Sequence, residues 1–163
     1  MTNSFLWTLV QVAPLASSTS ALICSVGQQF THVSLIDPAV PAQARREVWY
    51  PFFKSYRNIV FLSAPSHLTT ITTCLINYFC GGPQASLWWL LGVAFVVGHA
   101  YPLSSGMKMM SLTAEIWNKK TLPETRGWLQ DFVDINGTRL KFVDIPGWLC
   151  VVVAVVMGLR AEY

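Results

Sequence analysis

Apolar residues dominate four stretches of this chain, each close to the length of about 20 residues that a helix needs to cross a bilayer. They cover about residues 5–26, 58–79, 87–106 and 142–159. The first has a soft centre of Ser17, Ser18, Thr19 and Ser20; the third is most apolar from Leu87 to Leu103 and carries Gly98 and His99. The fourth contains Pro146-Gly147 and then the strongly apolar Val151 to Val156. Its approach, Glu124 to Lys141, mixes charges with Trp128, Leu129, Phe132, Val133 and Ile135, a spacing that suits an amphipathic helix at the interface feeding the last span. The pattern predicts an all-α integral membrane protein, a single four-transmembrane-helix bundle over residues 1–163 with an amphipathic helix before the last span.

Polar positions inside two of these stretches are periodic. In the second, Ser63, His67, Thr70, Cys74 and Asn77 follow a 4-3-4-3 spacing, which places all five on one helix face. Lipid offers no hydrogen bonds, so that face is expected to turn toward protein or a polar cavity. In the first stretch Gln11, Ser18, Ser25 and His32 recur every seven residues, a seam expected to face the interior. The first stretch is read as ending near Val26, which leaves His32 at or beyond the membrane surface as a solvated or loop-packing residue.

Composition agrees with lipid surroundings: 53% of residues are hydrophobic, 12% are charged and the mean hydropathy is +0.44, against about a quarter charged in soluble domains. The net charge of +3 forms no basic stripe interleaved with aromatics, which excludes a nucleic-acid footprint. No Lys or Arg precedes Arg45, so the first stretch reads as a retained helix rather than a signal peptide. Ten of the 11 basic residues lie in the first and third connections, which by the positive-inside rule become cytosolic with both termini lumenal. Asp37 to Pro51 is expected to add a short helix on that cytosolic face. Trp7, Trp88, Trp89 and Trp148 are expected at interfaces. Cys24, Cys74, Cys80 and Cys150 have no CxxC spacing and read either as buried free thiols or as including a Cys80–Cys150 bridge. The sequon Asn136-Gly137-Thr138 falls in a cytosolic segment and is expected to stay unmodified.

Two histidines stand out for chemistry. At about 1.5 Å per residue, His67 and His99 both lie roughly 12–14 Å from the cytosolic face on antiparallel neighbours. They can form one acid–base site, bind haem iron axially as an alternative, or simply bond neighbouring hydroxyls. Asp144, near the start of the fourth stretch, is either a functional carboxylate or an ion-pair partner of Lys141 or Arg139. Asp131 and Asp134 read as a solvated face. No phosphate cradle, nucleophile elbow, HExxH, flavin or nicotinamide fingerprint occurs, so no cofactor is expected unless haem is held between helices.

The arrangement resembles the small four-span fungal membrane proteins typified by anthrone oxygenases. Trp49, Phe53 and Pro65 stand where that family has a Trp, a following aromatic and a Pro, and Pro102 matches a Pro ending its third span. The family's strongest motif, aromatic-x3-His-x2-Arg, reads Phe132, Asn136 and Arg139 here. The departures are Asn136 for the His, and Met110-Ser111-Leu112 where the family has Pro-Thr-Asn. The resemblance implies a membrane-embedded tailoring enzyme of fungal secondary metabolism, an oxidoreductase or oxidative cyclase acting on an apolar polyketide-type intermediate. On that reading His67, His99 and Asn136 are catalytic, and Ser63, Thr70, Trp49, Tyr101, Arg139 and Asp144 contact substrate in a pocket within the cytosolic half of the bundle. The implied location is the endoplasmic reticulum membrane. The alternative is a non-catalytic partner that docks and delivers substrate to another biosynthetic membrane protein, or a homo-oligomer; a channel or transporter fits less well, because inverted repeats are absent.

Overall fold

A computed structural model describes the backbone of residues 2–100 and 125–160, with side chains described outside residues 2–4, 42, 45–46, 48–62 and 125–128. Five helices appear in it: α1 (Thr2–Ile36), α2 (Ala42–Cys80), α3 (Ser86–Gly98), α4 (Thr125–Arg139) and α5 (Ile145–Arg160). A 3-10 turn (Pro83–Ala85) opens α3, and a π-helical segment (Leu140–Asp144) joins α4 to α5 without a break. α1 packs on α2 and α5, and α3 packs on the same two, closing a four-helix ring; α4 continues α5 along the far half of α1. No strand occurs among the described residues.

The periodic positions determine which faces turn inward. On α1 the buried residues are Gln11, Pro14, Ser18, Ala21, Ser25, Gln28, His32 and Leu35, an alternating 3-4 repeat that contains the expected seam and carries it one turn beyond His32. On α2 Thr70, Cys74 and Asn77 are buried and Ser63 and His67 half-buried, so the ladder faces the interior. The outward positions are apolar: Phe5 is 68% exposed, Ile23 66%, Phe30 69% and Phe142 69%. Large apolar side chains thus stand outside, while amides and hydroxyls share the interior with an apolar core. Two helical stretches, Phe5–Ile36 and Leu129–Arg160, are long and apolar enough to cross a membrane; Pro83–Gly98 is apolar but shorter.

Local chemistry explains one rung of the ladder. Pro14 has no N–H, so the carbonyl of Val10 loses its intrahelical donor. Asn77 of α2 supplies the replacement, Nδ2 donating to Val10 O at 2.9 Å as well as to its own helix at Thr73 O at 2.8 Å. Two turns away, the hydroxyls of Ser17 and Thr70 meet at 2.7 Å. Both contacts couple α1 to α2 by polar bonds that water would not compete for in an apolar setting.

Helix approach on the other side depends on small residues. An added Cβ at Gly147 of α5 would lie 2.7 Å from Phe95 Cβ, whereas one at Gly92 of α3 would meet the Val151 Cγ2 methyl at 3.0 Å. The first contact has no room to yield, the second does. Gly147→Ala is therefore expected to cost about 1–3 kcal/mol through overpacking and Gly92→Ala less; unfolding midpoints in mild detergent check the ranking.

Several expectations change. α1 extends to Ile36 because its last turns pack against α4, where the His32 ring lies 4.3 Å from Phe132. His32 is thus fully buried, not solvated. The expected loop contracts to residues 37–41, and the short helix placed within Asp37 to Pro51 becomes the first turns of α2. α3 stops at Gly98, and α4, the helix expected before the last span, packs along α1. Trp89 is 2% exposed, in a core with Cys74, Ala85, Val151, Ala154 and Val155, and Trp148 turns inward, donating to Thr19 Oγ1 at 2.9 Å. All four cysteines are free, Cys80 being exposed and Cys24 half-buried. Asn136 is 1% exposed within α4.

Candidate active site

The ring of helices brings four expected residues together. His67 comes from the inward face of α2, His99 from the turn closing α3, Asp144 from the end of the π segment and Arg139 from the end of α4. The π segment makes the last two neighbours. In an α-helix residues five apart point about 140° away from each other; here Ile145 N–H bonds to Leu140 O across five residues, and the wider turn swings both side chains to one face. Arg139 Nε then lies 3.5 Å from Asp144 Oδ2.

Asp144 also fixes His99. Its Oδ1 stands 2.8 Å from His99 Nδ1, in a contact where the carboxylate is only 7% exposed. An ionised carboxylate can only accept, so Nδ1 carries the proton and Nε2 is the nitrogen left for other work. The His67 ring packs on His99 with centroids 4.0 Å apart. His67 Nε2 is buried and has no hydrogen-bond partner among the described residues. Behind Arg139 the network continues: its Nη2 donates to Asn136 Oδ1, Asn136 Nδ2 donates to Gln29 Oε1 at 2.8 Å, and Gln29 Nε2 donates to Val133 O at 3.3 Å. A polar chain thus runs from the α1–α4 contact into the centre of the bundle and ends at His99, on which the His67 ring stacks.

A cavity of about 20 Å³ opens at that end, lined by Ser18, His67, Phe95, His99, Asp144 and Trp148 among others. It matches the size of one water molecule. Chamber space for a polyketide-type ring, expected beside His67, is therefore not present among the described residues, where Phe95 and Trp148 stand in the cavity's lining. A larger cavity, about 170 Å³, lies at the opposite end of the bundle beside Trp89. The two imidazoles face each other in contact, whereas bis-axial haem ligation places a porphyrin between its ligands, so such binding would require the rings to part. No group of three His, Cys, Asp or Glu side chains among the described residues could hold a metal ion.

With this geometry in view, comparison gives one informative relative. The chain is similar to a probable epoxidase. That protein, named probable epoxidase scpX, from Mollisia scopiformis, is 23% identical over 160 residues, covering 93% of this chain and 96% of the relative. No family profile matches the chain, and no solved structure matches it.

The remaining expected site residues scatter. Thr70 is buried against α1, bonded to Ser17 and to Ser66 O, away from the imidazole pair. Ser63 is half-buried one turn from His67 on the same face. Asn136 does not reach the histidines; it touches the site only through Arg139. Asp144 takes the ion-pair role with Arg139 rather than Lys141, and adds His99. Tyr101 and the Trp49 side chain lie outside the described residues. Gln29 and Trp148 had no place in the expected site. Gln29 falls between Ser25 and His32, off the seven-residue repeat of α1, and Trp148 reads as an interfacial residue, so neither carries a periodic signal.

Proposed function

We propose that this chain is an oxidative tailoring enzyme of a fungal pathway, embedded in a membrane as four spans with both termini lumenal, that acts on an apolar polyketide-type intermediate in the endoplasmic reticulum. The observation that carries the reading is the His67–His99–Asp144 array: a buried carboxylate orients one imidazole, and a second imidazole stacked on it presents an unpartnered nitrogen to the interior. The apolar surface, with phenylalanines outside and amides and hydroxyls inside, supports the membrane setting. The similarity to a probable epoxidase over nearly the whole chain supports oxidative chemistry, as does the resemblance to anthrone oxygenases.

In this reading His67 Nε2 takes a proton from an acidic C–H of the substrate, and the Asp144 carboxylate, which also holds His99, steadies the charge that His67 acquires. The carbanion passes its electrons to dioxygen. A CH₂ becomes C=O, and the second oxygen atom leaves as water, so no reductant is consumed. Epoxidation of an alkene would differ, because its second oxygen atom needs two electrons from an outside donor. A requirement for added reductant therefore separates the two oxidations. The substrate ring must displace Phe95 or Trp148 to reach His67, since the resting cavity holds about one water.

That small cavity favours a second reading: a partner subunit that docks another biosynthetic enzyme and delivers substrate to it. Asn136, standing where the resembling family has a His, points the same way. Deleting the gene in the native host and profiling metabolites tests the pathway assignment. An apolar aromatic intermediate is expected to accumulate; an unchanged profile sinks both readings.

A further inference from the structure

We infer that the end of the bundle opposite the imidazoles holds a second binding site, for a small one-ring phenol. The inference is independent of the role given to His67. The cavity there measures about 170 Å³ and is bounded by Trp7 and Gln11 of α1, Asn77 and Cys80 at the end of α2, Trp89 of α3 and Gly158 of α5. Its size is that of an apolar cavity of about 150 Å³ known to take benzene, so one aromatic ring fits and a fused tricycle does not. Two indoles supply the flat apolar surfaces that an aromatic ring prefers.

The polar wall consists of the Gln11 and Asn77 amides, and Asn77 offers an acceptor. Both amide hydrogens of Asn77 are spent on the carbonyls of Val10 and Thr73. The polar atom left on that side chain is Oδ1, an acceptor. A ring bearing a hydroxyl complements it; a ring without a donor leaves it unmatched. The acceptor's orientation is imposed by Pro14, because the Val10 carbonyl is available only where the helix lacks an N–H.

Two features make the site testable. Cys80 is exposed at its rim, while Cys24 sits half-buried on α1 away from the cavity and serves as an internal control. A Cβ added at Gly158 would have Trp89 Cζ2 at 3.9 Å, ordinary contact, so a side chain there enters the cavity without backbone strain. The full-length chain in mild detergent is alkylated with N-ethylmaleimide, and modification of each cysteine is followed by peptide mass spectrometry. Phenol is expected to slow Cys80 alkylation at least fivefold, saturably, with Cys24 unchanged. Anisole, of similar shape but without the donor, is expected to need about fivefold more for equal protection. Gly158→Leu, or Gly158→Val if the larger residue does not fold, is expected to abolish protection. No protection at Cys80, equal slowing at Cys24, equal potency of anisole, or protection that survives in the folded Gly158 variant overturns the inference.

Discussion

His67→Ala is expected to lower turnover by about 10²–10⁴-fold, the range for losing a positioned general base, while leaving the bundle folded. The asymmetry follows from its contacts. His67 Nε2 has no hydrogen-bond partner among the described residues, so truncation orphans no buried donor or acceptor there. What disappears is the ring contact with His99. His67→Phe keeps a ring in that place and is expected to be as inactive as the Ala variant yet closer to wild type in thermal unfolding. Product formation in membranes, set beside unfolding midpoints of the purified variants, checks both halves. Unchanged turnover with either variant would favour the delivery role over chemistry.

Asp144→Ala is expected to be the most destabilising single change near the site, by about 3–5 kcal/mol, the cost of leaving a buried charge without its partner. The carboxylate is 7% exposed and holds both His99 and Arg139. Its removal leaves two groups that bear or can bear positive charge facing each other in a place water hardly reaches. Removing Arg139 as well should recover part of the loss, so the double variant Asp144→Ala/Arg139→Met is expected to be less destabilised than the sum of the singles. Denaturant midpoints measure the coupling; strict additivity would show that the 3.5 Å pair contributes nothing.

Much of this arrangement is legible in the sequence because helices in a bundle repeat. The 4-3-4-3 ladder of α2 and the seven-residue seam of α1 both point inward as their spacing requires. The level meeting of His67 and His99 follows from two antiparallel helices joined by a short turn at residues 81–85, which fixes their register. Other features carry no periodic signal. The π turn depends on one five-residue hydrogen bond that composition does not announce, yet it brings Arg139 and Asp144 together. His32 reads as exposed only if α1 ends at the membrane surface; packing on Phe132 extends the helix and buries it. The Asn77 rung lines the cavity beside Trp89 and also answers the Val10 carbonyl that Pro14 frees, a pairing that spacing does not announce. The size of the space beside His67 is not legible in the sequence, because it depends on how side chains from several helices, Phe95 and Trp148 among them, pack together rather than on any spacing.

The central claim is that this chain itself performs an oxidation at His67. The most direct measurement supplies the purified chain, alone in lipid nanodiscs, with the intermediate that accumulates in a host lacking it, and records oxygen uptake and product together. The account predicts conversion without any added reductant, oxygen consumed in equal amount to product, and loss of both in His67→Ala. No conversion by the chain alone, or equal conversion by the His67→Ala protein, would contradict it.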